Sequence, residues 1–388
     1  ISNFVSIEAL DDYTVKLTLA NPDAVLFSPG RGITSGCIIP QEAVEQLGED
    51  WGLHPIGGGP FEFVEYVPDD HATLVRNEDF VIQPYLDEVI FKVIPDDDVR
   101  MIALEAREIH FTSLPETEFD RFYGDPDYIL YSGNCIYSFN LQFDVTHELF
   151  TDIKVREAIG HAVDGRAIMK NQFGGMFVEG CGIAGPAVPG HDPDMCDKYF
   201  TYDPELTVQL MTDAGWEKNS DGIWEKDGQT FTFEFEIWNL DPAPVISTAA
   251  VTQMQTEGFD VTLLEVEFGT WIEDALGGNV KPMMMWSGFC GDGGMISYWG
   301  REGLATNWGF ADEEVWSLLD ESNMIMDVDE RQAALVKAHD AIYATYADIP
   351  LGFATGYMIT LNNVEDFEAP VWTNNIITTT NNTWLSGE

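Results

Sequence analysis

Apolar and polar residues alternate in short runs through the opening third of the chain. Each run reads as a strand: Tyr13 to Leu19, Phe61 to Tyr66, Ala72 to Val75, Glu88 to Val93 and Ile129 to Leu130. The period becomes helical over Asp97 to Ala106, where Asp96-Asp97-Asp98 supplies a cap and first-turn acids. A second region opens near Ile136. There Asp152 precedes Val155, Ala158, Ile159, Ala162 and Val163, whose helical spacing turns one face to a core. Asp203-Pro204 starts a further helix carrying Leu206, Val208, Leu210 and Met211 to a stop at Gly215. A hairpin through Asp227-Gly228 joins Ile223–Glu225 to Thr230–Ile237. Helix 246–257, strand 260–267, helix 270–276 and strand 282–287 then alternate as in an α/β fold. Helices over 312–323 and 329–347 and an extended stretch over 350–361 complete the pattern.

With 388 residues, 45% of them hydrophobic, the chain can fill the cores of two or three domains. No apolar run approaches the roughly 18 residues needed to span a membrane. The chain opens directly in the alternating segment Ile7–Leu10 without a signal peptide, so the expectation is that processing or truncation has removed a start. A formal charge of −49, from 67 acidic against 18 basic residues, repels nucleic acid and anionic membranes, and neither is expected as a partner. Such self-repulsion is tolerable where salt screens it, the Debye length falling from about 8 Å at physiological ionic strength to about 3 Å at 1 M. Exposure to seawater or brine is one reading; an acidic protein of an ordinary periplasm is the other.

The candidate chemistry is narrow. No His-x-x-His or His-x-x-x-His and no Cys-x-x-Cys spacing occurs, so no metal or cofactor is expected. No Gly-x-Ser-x-Gly elbow is present, and carboxylates are too abundant for any pair to signal glycoside hydrolysis, so no catalytic residue is assigned. An acidic hydrolase of saline habitat stays as the reading from outside the binding classes. Cys181 and Cys196 bracket a Gly/Pro-rich loop with little else to hold it. Either they form a disulfide, worth about 3 kcal/mol by loop entropy and implying an oxidising compartment, or they are two unpaired buried thiols.

Residues 54–61 read His-Pro-Ile-Gly-Gly-Gly-Pro-Phe, and Arg76-Asn77-Glu78-Asp79-Phe80 follows. Glycines between two prolines suggest a rigid turn, with glycine free to take positive φ. A phosphate cradle is disfavoured: no Gly-Lys-Ser/Thr follows, Pro60 removes a donor, and the next residues alternate like a strand. These segments, the acidic step at Ala106-Arg107-Glu108-Ile109-His110, and the stretches LFTDIKVREAIGHAVDGRAI and YFTYDPELTVQLMTDAGW resemble, in order, the family 5 extracellular solute-binding proteins of ABC importers. The resemblance runs from about residue 5 to about residue 370. It implies an α/β, two-lobed periplasmic-binding-protein fold (type II, cluster C-like) with an interlobe ligand cleft, and a monomer serving an ABC permease outside the cytoplasm. It further implies residues 1–138 as a first lobe, 139–355 as a second α/β lobe and 356–388 returning to the first. Members carry further chain ahead of this point. The expectation is therefore a protein lacking its N-terminal part, periplasmic or extracellular, with a lipid anchor possible through the missing N-terminus.

In peptide-binding members, a loop reading Gly-Trp-x-Gly-Asp or Trp-Cys-Ala-Asp presents its Asp to the ligand's α-ammonium. Gly288-Phe289-Cys290-Gly291-Asp292 matches it, making Asp292 the ammonium partner, with Phe289 at the family's Trp position and Gly291 before the acid. An ordinary Asp in a glycine-rich turn is the bland reading. Trp238, Trp299 and Tyr298 are candidates to line the pocket, as are Trp286 and Trp308. Asn239 is a polar contact and Arg301 an anion partner. Dipeptide-specific relatives place an Arg after the hairpin strand, whereas 238–244 holds none, so a free C-terminal carboxylate is not expected to be read there. The expected ligand is a peptide or peptide-like solute. The alternative is a non-peptide solute such as an oligosaccharide, an opine-like compound or another cationic small molecule.

Overall fold

The structure, a computed structural model, describes residues 3–27, 38–186, 188–287, 292–367 and 382–387. The chain forms two compact units. One gathers the described residues of Ile1–Ser35 and Tyr137–Ala354, the other those of Gly36–Ile136 and Thr355–Glu388. The first unit opens with a hairpin of β1 (Phe4–Asp11) and β2 (Thr14–Leu19). The segment behind the hairpin belongs to this unit for a local reason. Ala24 N–H donates to the Asn323 carbonyl at 2.9 Å, Arg331 Nη1 donates to the Ala24 carbonyl at 3.1 Å, and Val25 is buried. The expected lobe of residues 1–138 is thus divided, its opening stretch grouping with 137–354.

In the second unit, α1 (Gln41–Leu47) precedes an antiparallel sheet of β3 (Phe61–Val67), β4 (His71–Arg76) and β5 (Glu88–Lys92). The two signature segments meet at the start of that sheet. Asn77 Nδ2 donates to the Gly59 carbonyl at 2.8 Å, and Asn77 N–H donates to the Pro60 carbonyl at 2.9 Å. The turn is therefore closed by its Arg-Asn partner, and none of Gly57, Gly58 or Gly59 adopts positive φ. Next come α2 (Asp97–Glu105), capped by the Asp96 carboxylate accepting from Val99 N–H at 2.9 Å, then β6 (Phe111–Leu114) and α3 (Phe119–Phe122). Met101, Leu104, Leu114, Phe119 and Phe122 form this unit's core.

A single strand, β7 (Tyr128–Phe143), then passes into the first unit. The sequence pattern breaks between Leu130 and Ile136, across Ser132-Gly133-Asn134, residues of low strand propensity that nevertheless lie within this strand. There follow α4 (Ile153–Ala162), α5 (Gly165–Phe173), β8 (Phe177–Val178), α6 (Met195–Tyr199) and α7 (Pro204–Asp213). Asp152 and Asp203 cap α4 and α7 as expected. Arg156 on α4 is buried and donates to the carbonyls of Phe150, Thr151 and Thr345, and burial lowers its pKa to about 10.

A small sheet of β9 (Glu217–Lys218), β10 (Trp224–Lys226) and β11 (Gln229–Thr230) contains the Asp227-Gly228 hairpin. The strand that follows is separate, β12 (Thr232–Trp238), because Phe231 N–H turns back to the Trp224 carbonyl. The alternation continues through α8 (Ala243–Thr256), β13 (Asp260–Val266), α9 (Phe268–Gly277), β14 (Met283–Ser287) and α10 (Asp292–Trp299). Helix α8 begins three residues before its expected start, since Pro244 is tolerated in a first turn. After α11 (Glu313–Met324) and α12 (Val328–Tyr343), β15 (Asp348–Leu361) runs into the second unit. The last helix ends earlier than the pattern suggests because Tyr346 takes φ +48°. In the first unit the sheet order is β13–β12–β14–β7–β15, with β8 on β15. In the second, β15 pairs with β6, and β16 (Val364–Glu365) pairs with β17 (Trp384–Leu385).

Cys181 and Cys196 are joined by a disulfide with Cα atoms 5.6 Å apart. The loop between them sits on α12. Gln332 accepts from Gly190 N–H and donates to the His191 carbonyl, and Nδ1 of His339 donates to the Gly190 carbonyl. Gly190 is required here: its φ is +93°, and a Cβ would lie 2.9 Å from Leu335 Cβ. Burial pushes the His339 pKa down to about 4, so the ring is a neutral strut.

Candidate ligand site

Strands β12, β13 and β14 are mutually parallel, so their C-terminal residues Trp238, Val266 and Ser287 lie along one edge of the sheet. In open α/β sheets that is the edge whose loops form binding crevices. Residues paired across a sheet share a face. Glu236 pairs with Met284, Met284 with Gln142, and Trp286 with Asn140, so Glu236, Trp238, Trp286, Gln142 and Asn140 all belong to one face.

An aromatic series covers this face. Trp271 lies 4.7 Å from Trp238 and 5.3 Å from Trp286; Trp286 lies 5.0 Å from Tyr298 and 5.7 Å from Trp308; Trp299 lies 5.1 Å from Tyr298 and 4.8 Å from Phe310. All seven rings are buried, and the contacts are tilted or edge-on, as ring quadrupoles favour.

Beneath the rings runs a row of buried polar groups. Asn140 Nδ2 donates to Asp348 Oδ2 at 2.9 Å, and Gln142 Nε2 donates to the Ala347 carbonyl at 3.0 Å. Tyr298 Oη donates to Gln142 Oε1 at 2.9 Å. Burial raises the Asp348 carboxyl pKa well above the ordinary carboxylate range. Glu236, 1% exposed, has its pKa pushed up to about 6, chiefly by desolvation and then by Asp274.

The expected site residues lie in different surroundings. Trp238 ends β12 and heads the aromatic series, and the exposed Asn239 follows, its N–H on the Val266 carbonyl at 2.9 Å. Trp299, expected at the pocket, is enclosed in the core, and Tyr298, expected to face the ligand, has its hydroxyl occupied by Gln142. Arg301, expected as an anion partner, is paired with Glu313 at 2.8 Å and Asp320 at 3.2 Å and lies over the Trp316 ring. Asp292 opens α10, five positions past the end of β14; its side chain lies outside the described part of the structure. Phe289 and Gly291 lie outside the described residues altogether. Sequence reasoning missed Trp271, Gln142, Asn140 and Asp348. The alternation Ser138-Phe139-Asn140-Leu141-Gln142-Phe143 in one strand did carry a signal, a polar face that a buried strand must satisfy internally.

A cavity of about 980 Å³ in the first unit lies elsewhere, lined among others by Arg156, Lys198, Phe310, Leu318, Lys337 and Asp340. Its mixed charges are mutually paired in part, as Lys198 is with Asp340, and among the described residues its lining contains none of Trp238, Asn239, Tyr298, Trp299 or Arg301. Among the described residues, no group of three or more His, Cys, Asp or Glu is placed to hold a metal, and no helix is long and apolar enough to cross a membrane.

A family model described as "Bacterial extracellular solute-binding proteins, family 5 Middle" matches residues 2–301. Among curated proteins, the oligopeptide-binding protein AppA of Bacillus subtilis is 28% identical over 279 residues, 69% of this chain and 51% of its own length. The dipeptide-binding protein of Escherichia coli is 25% identical over 301 residues, 74% of this chain and 53% of its own. The chain therefore spans about half the length of the curated relatives it matches. Among solved structures, AppA of Bacillus subtilis in complex with a nonapeptide aligns at TM-score 0.84 and 22% identity over 99% of this chain and 79% of that one. DppA of Helicobacter pylori in complex with the peptide STSA aligns at TM-score 0.83 and 21% identity over 98% and 74%. These likenesses show the fold, that of the type II periplasmic binding proteins. By its family match and its architecture, the chain belongs to the bacterial extracellular solute-binding proteins of family 5.

Proposed function

We propose that this protein captures a peptide or peptide-like solute for an ABC importer, outside the cytoplasm and as a monomer, with Asp292 as the partner of the ligand's ammonium. The observation that carries the reading is the convergence of three parallel strand ends under an aromatic wall, with α10 starting at Asp292 five positions beyond β14. The peptide-named relatives support it. A carboxylate paired with an ammonium beside apolar walls is a charge-assisted bond of the strong kind, worth about 1.5–3 kcal/mol. Native mass spectrometry of the freshly purified protein tests the ligand class, a retained mixture of peptide masses being the expected result. Calorimetry on Asp292→Asn tests the residue: affinity for a retained peptide should fall about tenfold or more, and undiminished affinity removes Asp292 from the site.

A second reading, a single non-peptide solute, is favoured by one observation: Arg301 is committed to Glu313 and Asp320 and does not stand ready for a peptide carboxylate. Solved structures with mannopinic acid and with agropinic acid also align, at TM-scores 0.81 and 0.83. One small retained mass in place of a peptide mixture would establish it. The charge of −49 supports a working environment of seawater or brine.

A further inference from the structure

We infer that Tyr298 and Gln142 form a positioning pair that sets the direction of α10 and, with it, the place of the helix start at Asp292. The inference rests on the ammonium-binding role proposed above for Asp292. An eight-residue helix is too short to hold its own direction, which must come from tertiary anchors. Tyr298 supplies one. Its ring packs against Trp286 and Trp308, at 5.0 and 6.2 Å, and its hydroxyl meets Gln142 Oε1 at 2.9 Å in a site where Tyr298 is 3% and Gln142 0% exposed.

Gln142 cannot swing to follow the helix. Its amide N–H groups are already committed to the carbonyls of Ala347 at 3.0 Å and Phe143 at 3.2 Å, so Oε1 is a fixed target on β7. Burial holds the Tyr298 hydroxyl protonated, hence always a donor. Asp292 lies six residues from Tyr298, about 9 Å along the axis, so a tilt of about 10° at the anchor moves the helix start by roughly 1.5 Å. A displacement of about 1 Å is enough to weaken a directional charge-assisted bond severely.

The test uses an equimolar set of synthetic tetrapeptides in free and N-acetylated forms, with affinities for the full chain read by calorimetry or native mass spectrometry. The free-to-acetylated affinity ratio reports the ammonium contact alone. Wild type is expected to favour free amines by about tenfold or more. Tyr298→Phe should reduce that ratio about threefold or more. In Tyr298→Phe/Gln142→Leu, which removes the orphaned acceptor, the melting temperature should recover and the ratio should not. A purely architectural Tyr298 would lower the melting temperature and leave the ratio at its wild-type value, and that result overturns the inference. Asp292→Asn separates the two levels. Wild-type discrimination in Asp292→Asn refutes the ammonium role and this inference with it. A lost ratio in Asp292→Asn beside an unchanged one in Tyr298→Phe refutes the positioning pair alone.

Discussion

Replacing both Cys181 and Cys196 with Ser removes a cross-link whose effect can be worked out from the fold. The bridge spans a sequence separation of 15. Closing such a loop removes about 10 cal/mol/K from the unfolded chain, or about 3 kcal/mol at 25 °C. In the native state little should change, because Gly190 N–H still donates to Gln332, Gln332 and His339 still donate to the His191 and Gly190 carbonyls, and Gly190 stays packed on Leu335. The cost therefore falls almost wholly on the unfolded side. At about 2–4 °C per kcal/mol for a domain of this size, the melting temperature should drop by about 6–12 °C. Calorimetric melts of wild type and the double variant, each with and without a phosphine reductant, give the answer. Reduced wild type and the variant should coincide, the variant should ignore reductant, and peptide affinity should be the same in all four samples. Equal melting temperatures across the set would refute the loop-entropy argument. A changed affinity would instead show that the bridge shapes the native state.

Three further outcomes are expected. Asn77→Ala deletes the bond to the Gly59 carbonyl at 2.8 Å and the one its Oδ1 accepts from Asp79 N–H at 3.0 Å, and should cost about 1–2 kcal/mol in urea unfolding; an unchanged midpoint would show the turn is held without it. Glu236 has a folded pKa of about 6 against an ordinary 4.5, so the folded state binds its proton more tightly and wild-type stability is lost as pH rises through that window. Glu236→Gln should match wild type near pH 4 and exceed it by about 2 kcal/mol at pH 7, and a gain that does not vary with pH would refute the assignment. Finally, with a formal charge of −49, the melting temperature should climb between low and molar NaCl, and a flat profile would end the saline reading.

What the sequence made legible was local chemistry. Asp96, Asp152 and Asp203 announce their helices because a capping carboxylate acts on amides two or three residues away, and each is found accepting such bonds. The Gly-Gly-Gly-Pro and Arg-Asn segments are informative together for a reason visible only in the fold: Asn77 of the second closes the first through its backbone carbonyls. The site was harder because its residues act across distance. Nothing in the spacing says that Tyr298 will meet Gln142, 156 positions earlier, and a tyrosine in an aromatic stretch reads equally well as pocket wall or as core. Arg301 shows the limit most sharply. In a chain with 67 acids an exposed arginine readily finds a carboxylate, yet which one decides whether it can serve a ligand. Glu313 and Asp320 claim it from α11, a choice made by how that helix docks and not by any motif around residue 301. Candidate ligand contacts can be guessed from family pattern; which buried polar groups meet emerges only once the strands are paired and the helices set, as Tyr298 meets Gln142 and Asn140 meets Asp348.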